Sequence, residues 1–437
     1  MDNKLRQSKL AGLIGFLLAA VVFIVPDSKG TTFFHMSTPF GTFSTDKFLV
    51  IVSMIIGIFT LTIKNGKFKK SLFPLFIFLF VTWNLIVALI SILTENAMMF
   101  NMLVFYLIMG YSVYFLSYTL STNFSSFKDS FIKFALLFAV IDGVVVLLQS
   151  LTQSPLFMEN YLMPDVTRGF HTPMGIIYRA WGLQGEPQEV GTLMAVALVI
   201  LVTVYSKKGY QYNTFKKILM WIAGIIFISA NIASFSRASW IALILAALFI
   251  KFSLNIKLFK GYRWVATTVI STIFVYLIIK LDIWMLIAER GSSLSSSQSF
   301  SHRSNIISSV IPIMSEYGFT SLLGLGAGGA ITISNEYGAI DNQYINILFD
   351  SGVIGLILFF SVYLKLIFSR VDSTLRAILI ILLTSMISYQ LLTYSGVGTL
   401  VWIILGIASA EHSLKMREET QSKENYYKIK SKSYNFT

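Results

Sequence analysis

Cysteine, charged residues and nucleotide-binding motifs are absent or scarce in this sequence, and each absence excludes a class of protein. None of the 437 residues is cysteine, so the chain has no disulfide bond, no thiolate metal ligand and no cysteine nucleophile. Charged residues make up 13% of the chain and hydrophobic residues 55%, a composition that excludes a soluble globular protein. The sequence has no phosphate-binding loop with a glycine-lysine pair, so we expect no chemistry driven by ATP.

Long apolar segments are abundant instead. A helix needs about 20 mostly apolar residues to cross the hydrocarbon core of a bilayer, and apolar runs recur from Leu10 to Ser409. We predict an all-α polytopic membrane protein with about 12 transmembrane helices, in one domain over residues 1–411, followed by a polar cytoplasmic tail over 412–437. The predicted spans are 10–25, 48–63, 71–93, 97–120, 131–151, 190–205, 218–235, 238–253, 264–281, 344–368, 375–393 and 396–411.

The net charge of +13 is explained by membrane orientation, so nucleic acid is not a predicted partner. With a cytoplasmic N-terminus, the loops on the cytoplasmic side hold most of the lysines and arginines, as the positive-inside rule requires. Both termini are then cytoplasmic. The outer face keeps only eight of the 34 basic residues, namely Lys29, Lys47, Arg168, Arg179, Arg237, Lys280, Arg290 and Arg303. These few cations either pair with acidic neighbours or hold an anion.

Two long loops are predicted on the outer face, over residues 152–189 and 282–343. Loops longer than about 12–15 residues are commonly functional or disordered. In the second loop, apolar residues recur at helical spacing after Arg303, which predicts an amphipathic helix at the membrane surface, bent by Pro312. We favour packing inside the protein over contact with a lipid substrate for the apolar side of this helix.

Two arginines lie in short segments next to the predicted spans. Arg179 opens the segment Arg-Ala-Trp-Gly-Leu-Gln-Gly-Glu186-Pro, and Arg237 lies in Ser-Phe-Ser-Arg-Ala-Ser between two spans. A guanidinium is a planar fork of donors that suits phosphate, and it stays charged near the bilayer. The alternative is a structural role, in which Arg179 is anchored at the lipid headgroups beside Trp181 and Arg237 snorkels to the interface.

The second loop ends in a glycine cluster and a polar segment. Gly324-Leu-Gly-Ala-Gly-Gly329 formally matches the dinucleotide fingerprint, but no βαβ unit surrounds it. The cluster is either a turn that lets two backbone segments pack closely or a cradle of N–H groups that binds phosphate. We favour the turn. Asp341-Asn342-Gln-Tyr344 precedes the tenth span, where its polar groups suit sugar hydroxyls, provide an ordinary helix N-cap, or do both.

Among the titratable residues, Asp142 lies in the middle of the fifth span, where a carboxylate is costly. We favour a structural role, with a hydrogen bond to Gln149 or another helix, over a place on a proton or substrate path. His171 and His302 lack metal-ligand spacing, so no metal site is predicted. His302, beside Arg303, remains a candidate proton acceptor.

In their order and spacing, these motifs resemble the O-antigen polymerase and ligase superfamily of bacterial polysaccharide assembly. The resemblance covers about residues 179–358 in motifs and the whole chain in topology. It implies a GT-C-like fold in the bacterial cytoplasmic membrane and a metal-independent inverting glycosyltransferase without a cofactor. The motifs are Trp181-Gly-Leu-Gln-Gly-Glu-Pro, Ser-Phe-Ser-Arg237-Ala-Ser, Arg303 ahead of Leu323-Gly-Leu-Gly-Ala-Gly, Asp-Asn342-Gln-Tyr344-Ile, and Asp350-Ser-Gly352-Val-Ile-Gly355-Leu.

The implied substrate is an oligosaccharide on undecaprenyl diphosphate, and attack at its anomeric carbon expels the lipid diphosphate. Cations would stabilise the departing diphosphate, and a carboxylate or imidazole would act as general base. The candidates for diphosphate or glycan binding are Arg179, Arg237, Arg303, Asn342, Tyr344 and His302. The candidates for the base are Asp341, Glu186 and His302.

The position of Asp341 bears on which reaction the resemblance implies. Ligases of the superfamily typically carry a histidine where this chain has Asp341, which favours a polymerase of O-antigen, capsule or exopolysaccharide. Such a polymerase works beside a flippase and a chain-length regulator. The alternatives are a ligase that moves the glycan to a lipid or protein acceptor, and a flippase or transporter for the lipid-linked glycan. A transporter would place charges along a central path, whereas here they cluster at the outer rim, with Asp142 as the main exception.

Overall fold

The protein is a bundle of α-helices with two short β-hairpins, as seen in a computed structural model. The structure describes residues 2–25, 35–38, 41–62, 75–93, 97–154, 156, 169–172, 175–184, 186–254, 309–310, 312–316, 318, 320–326, 329–330, 333–334, 340–393 and 395–434. Three expectations lie outside these residues: the predicted ninth span, His302 and Arg303.

The described helices overlap eleven of the twelve predicted spans. The helices are α1 (Asp2–Phe23), α2 (Thr45–Thr62), α3 (Leu75–Leu93), α4 (Ala97–Asn123), α5 (Ser125–Thr152), α6 (Pro187–Lys208), α7 (Thr214–Ala233), α8 (Arg237–Leu254), α9 (Thr320–Leu323), α10 (Gln343–Ile367), α11 (Ser373–Met386) and α12 (Ser395–Tyr434). Helix α11 ends before the predicted 393, and α12 continues well past the predicted 411. Six helices in the described part, α1, α5, α6, α7, α10 and α12, are long and apolar enough to cross a membrane, and shorter apolar stretches occur in α2, α3, α8 and α11. The prediction of a helical polytopic membrane protein is confirmed.

Two hairpins were not part of the all-α prediction. Strands β1 (His35–Thr38) and β2 (Gly41–Ser44) pair antiparallel, and β3 (Gly169–Thr172) pairs likewise with β4 (Gly175–Tyr178). Each strand has only four residues, which is too short for an alternating pattern to be recognised against an apolar background.

Burial separates the central helices from the peripheral ones. In the apolar stretches of α6 and α12, 72% of the residues are buried, against 17% in α7. The exposed side chains of α7 are large and apolar, for example Ile218, Trp221 and Ile225. Lipid would cover such a surface in a membrane, so α6 and α12 form the centre of the bundle and α7 lies at its edge.

The connections define two ends of the bundle. At one end, which we call the site end, Ala180 before α6 donates a backbone hydrogen bond to Ala233 at the end of α7, 3.3 Å away. Asn342 before α10 likewise reaches the carbonyl of Ile387 after α11. At the opposite end, Lys207 of α6 contacts Asp372 before α11. Each of these helices therefore runs from one end of the bundle to the other.

Helix α10 is broken at Gly352, whose backbone is not helical (φ 67°, ψ −173°). Gly324 of the glycine cluster also has a positive φ, 94°, and packs against it: a Cβ on Gly352 would lie 2.5 Å from the Gly324 nitrogen. Leu325 N–H donates to the Phe349 carbonyl at 2.7 Å, and the indole of Trp83 on α3 donates to the Ser351 carbonyl at 2.8 Å. The prediction of a turn that allows close backbone packing is confirmed.

The amphipathic segment after Arg303 is helical where the structure describes it, at residues 309–310 and 312–316. Ile313 is 5% exposed and belongs to a small apolar cluster with Ile333, Ile340 and Phe349, whereas Pro312 and Glu316 are exposed. For Ile313, the prediction that the apolar side of this helix packs inside the protein is therefore confirmed.

Replacing Gly352 by alanine should destabilise the bundle. The added Cβ would lie 2.2 Å from the Leu322 carbonyl oxygen, and a positive φ in a residue with a side chain costs about 1–3 kcal/mol. We expect Gly352→Ala to lower the Tm of the purified protein in detergent by several degrees. Gly224→Ala is the matched control, because its Cβ would meet nothing closer than a Leu201 methyl at 3.4 Å. Equal Tm values for the two variants would contradict the close packing.

Candidate functional site

The two arginine-bearing segments lie against each other at the site end. The Nε of Arg179 donates to the carbonyl of Ser234 at 3.4 Å, and the next residue, Ala180, donates to Ala233. Ser234 begins the connection between α7 and α8, which ends with Arg237 at the start of α8. Both arginines are half-buried. Two motifs far apart in sequence are thus neighbours in the fold.

The connection that carries Arg237, residues 234–239, is held against α6, and we call it the serine-arginine junction. Asn231 donates from its side chain to the Gly191 carbonyl at 2.6 Å and to the Ser239 hydroxyl at 3.2 Å. A Cβ on Gly191 would lie 2.5 Å from the Ser239 hydroxyl oxygen. Phe235 adopts a positive φ of 50°, and the indole of Trp240 donates to the Asn231 carbonyl at 3.1 Å. The backbone that presents Arg237 is therefore fixed.

Two polar side chains of α5 hold residues 181–184, which we call the WGLQ turn. Gln149 accepts the N–H groups of Trp181 and Gly182 at 3.2 and 2.9 Å, and donates to the Gly182 carbonyl at 3.0 Å. One Asp142 carboxylate oxygen accepts the N–H of Leu183 at 2.8 Å. Asp142 and Gln149 are both fully buried. The predicted structural role of Asp142 is confirmed, but its partner is the turn and not Gln149.

Several buried polar atoms around this turn have no hydrogen-bond partner among the described residues. They are Oδ2 of Asp142, both amide atoms of Gln184 and Oε1 of Gln188. Gln184 is 1% exposed, and its Oε1 lies 2.4 Å from the position of a Cβ on Gly396, at the start of α12. Buried polar groups are normally satisfied by protein, water or a ligand, so this region is suited to a polar ligand.

Two glutamates begin α6 next to the WGLQ turn. Glu186 is the N-cap residue, but its side chain makes no capping hydrogen bond, and it is half-buried. Glu189, one turn further along, is fully buried. Sequence reasoning named Glu186 and passed over Glu189, because a glutamate in the first turn of a helix is usually a solvent-facing partner of the helix dipole.

The segment before α10 has its polar groups engaged within the protein. Asn342, and not Asp341, is the N-cap: its Oδ1 accepts the N–H groups of Tyr344 and Ile345 at 2.9 and 3.1 Å. Its amide nitrogen donates to the Ile387 carbonyl at 2.7 Å. The Tyr344 hydroxyl donates to the Leu383 carbonyl at 2.5 Å. A role of Asn342 and Tyr344 in binding substrate stays a prediction, and Asp341 lies half-buried beside the cap.

The connection between α11 and α12 links this segment to the WGLQ turn. Gln343 accepts the N–H of Leu392 at 2.9 Å, and Gln390 donates to the Ile340 carbonyl. A few residues later Gly396 contacts Gln184. The two candidate segments are therefore joined through this connection and the first turn of α12 that follows it. In the described part of the chain no group of three or more His, Asp or Glu is placed to hold a metal ion.

These features define a polytopic membrane protein with a polar site at one end of its helix bundle. Residues 222–360 match the family described as O-antigen ligase, and the match confirms the resemblance to the O-antigen polymerase and ligase superfamily. The matched residues include the serine-arginine junction, Asp341 and Gly352, but not Arg179 or the WGLQ turn. None of the curated proteins matches the chain.

Removing the Gln149 side-chain amide should destabilise the protein. Gln149→Met leaves two N–H groups and one carbonyl of the WGLQ turn without this partner, and each orphaned buried group costs about 1–3 kcal/mol. We expect a clear drop in Tm in detergent. Thr152→Val, on the same helix, removes two exposed hydrogen bonds, to Leu148 and Ser154, and should change stability by less than about 0.5 kcal/mol. If both variants melt together, the three bonds do not hold the turn.

Proposed function

We propose that the protein is a polymerase that joins oligosaccharide repeat units carried on undecaprenyl diphosphate. The family match supports a membrane enzyme of O-antigen-related polysaccharide synthesis. In this proposal the chain has about 12 spans in a GT-C-like arrangement, lies in the bacterial cytoplasmic membrane with both termini inside, and works at its outer face. The lipid-linked donor carries its own leaving group, so the reaction needs neither a metal nor a cofactor.

The observation that carries the proposal is the contact between the segments of Arg179 and Arg237. In the reaction an acceptor hydroxyl oxygen attacks the anomeric carbon, the bond from that carbon to the diphosphate oxygen breaks, and the diphosphate leaves with the electron pair. Preorganised cations stabilise such developing charge, and guanidinium groups bind phosphate oxygens through two parallel hydrogen bonds. Arg303, from the second outer loop, is the proposed third cation.

The proton of the attacking hydroxyl needs an acceptor within hydrogen-bond reach. Asp341, Glu186 and His302 remain the candidates. The side chain of Asn342 makes the capping hydrogen bonds of α10. Helix capping therefore does not explain why a carboxylate stands at position 341. The unsatisfied amide of Gln184 and the nearby Gln188 suit sugar hydroxyls. We therefore favour Asp341 as base, with the glycan lying toward the WGLQ turn.

Two other functions have a specific observation in their favour. The matched family is described as O-antigen ligase, which favours transfer of the glycan to a different lipid or protein acceptor. Asp142 and Glu189 are fully buried carboxylates, which a flippase for the same lipid could use. Asp142 holds the WGLQ turn, however, and Glu189 lies in the first turn of α6, so the two do not mark a path through the bundle. We therefore place polymerisation first, with a flippase and a chain-length regulator as separate partners.

Reconstitution separates the three functions. The purified protein would be placed in liposomes with undecaprenyl-diphosphate repeat units as the sole substrate, and the glycans analysed by gel electrophoresis. We expect a ladder of chain lengths and release of undecaprenyl diphosphate without added metal. In a second set of liposomes a foreign lipid or protein acceptor would be added, and transfer only in that set would establish a ligase. Translocation of the repeat units without new glycosidic bonds would establish a flippase.

In the same assay, Arg179→Ala and Arg237→Ala should each lower the initial rate by about 10²–10³, the usual cost of losing one donor to developing charge. Arg303→Ala should behave alike. Lysine at these positions should restore only part of the rate, because an ammonium lacks the planar fork. Arg6→Ala is the control, since Arg6 is exposed at the opposite end of the bundle. Full activity of the three alanine variants, with unchanged Tm, would contradict the proposed diphosphate-binding site.

The general base can be assigned by neutral substitutions. Asp341→Asn should lower the initial rate by about 10²–10⁴, because the attacking hydroxyl would lose its proton acceptor. Glu186→Gln and His302→Gln should lower the rate far less. A loss of this size in one of these two variants, with Asp341→Asn close to the unmodified protein, would move the base to that residue.

A further inference from the structure

A basic cavity lies at the opposite end of the bundle from the proposed active site. It has a volume of about 580 Å³ and lies between the end of α6, the connection from α10 to α11, and α12. Its charged lining consists of Lys207, Arg370, Arg376, Lys415 and Asp372. The proposed polymerisation does not use any of these residues.

Positive charge exceeds negative charge in and around this cavity. Asp372 pairs with Lys207 at 2.6 Å, Glu411 with Lys415 at 3.0 Å and with Lys128 at 2.9 Å, and Glu419 with Arg370. Among the ion pairs and cavity-lining groups of the described residues, three acids therefore stand against five cations. The fifth cation is Arg376, whose guanidinium lies 5.3 Å from the ring of Phe249.

Asp372, the acid that lines the cavity, is ionised and offsets the charge of Lys207. Burial alone would raise the pKa of Asp372, but hydrogen bonds from Lys207 and Thr374 and the charge of Lys207 outweigh it and lower the pKa to about 2. The pair of Arg370 and Glu419 is exposed, with side-chain exposures of 82% and 41%. Exposed ion pairs contribute little to stability, so Arg370 can turn toward an anion at small cost.

The surroundings of the cavity favour an anion that is attached to a lipid. Phe368, which follows α10 and lines the cavity, is 82% exposed, as is typical of an aromatic side chain at a membrane interface. Lysine and arginine side chains between helix ends are the usual partners of phospholipid headgroups. A soluble anion would not require this exposed aromatic side chain.

We propose that this cavity binds the phosphate of an anionic phospholipid headgroup, with Arg370, Arg376 and Lys415 as its ligands. The acyl chains would lie along the exposed apolar surface of the helices beside Phe368. The site is independent of the proposed polymerase activity, because it lies at the other end of the helices and is tested by binding alone.

The full-length protein in a neutral detergent would be titrated with short-chain phosphatidylglycerol, phosphatidylcholine or inorganic phosphate, and the Tm measured. We expect phosphatidylglycerol to raise the Tm in a saturable manner, whereas phosphatidylcholine and inorganic phosphate leave it nearly unchanged. An equal shift with inorganic phosphate would assign the site to a soluble anion, and an equal shift with phosphatidylcholine would overturn recognition of negative charge.

The variant Arg370→Gln/Arg376→Gln should need at least tenfold more phosphatidylglycerol for half of the shift. The control is Lys9→Gln/Lys216→Gln, which removes the same charge from exposed positions outside the cavity lining and should titrate like the unmodified protein. Lys415→Gln, which leaves both arginines in place, tests the site again if the double variant does not fold. Identical titrations of the cavity variants and the control would refute the proposal.

Discussion

Backbone that leaves the helical conformation inside a membrane protein has to find hydrogen bonds within the protein, because lipid offers none. This constraint shapes the bundle at two places. The WGLQ turn takes its partners from Asp142 and Gln149 of α5, and the break of α10 at Gly352 is closed by the glycine cluster and by Trp83. The burial of Asp142 and Gln149 inside a span is thus explained by irregular backbone that needs their hydrogen bonds.

The first of these places also helps to hold the site together. The WGLQ turn lies directly between Arg179 and Glu186, so the bonds from α5 determine where both side chains begin. The serine-arginine junction is fixed by Asn231 against α6, which sets the start of α8 and with it Arg237. A short connection between α11 and α12 then joins this region to the segment of Asp341. Cations and a candidate base are therefore carried by rigid backbone, as preorganised stabilisation of charge requires.

The two ends of the bundle use cations differently. At the opposite end, lysines and arginines are numerous and pair with acids that tie helices together, such as Lys128 with Glu411 across α5 and α12. At the site end, few cations are available; Arg179 lies in the segment before α6 and Arg237 begins α8. Under our two proposals both ends bind phosphate, the site end as a leaving group and the opposite end as part of a lipid.

The sequence by itself determined the class of the protein, because long apolar runs and the distribution of basic residues depend on solvation and hardly on tertiary contacts. It also provided the order of the motifs and the correct reading of the glycine cluster as a close-packed turn. Only the tertiary structure decided that Gly324 packs on Gly352, that Asn342 and not Asp341 caps α10, and that Arg179 meets the serine-arginine junction. Those contacts join residues that are distant in the chain, and no local pattern records which helix ends become neighbours when the bundle packs.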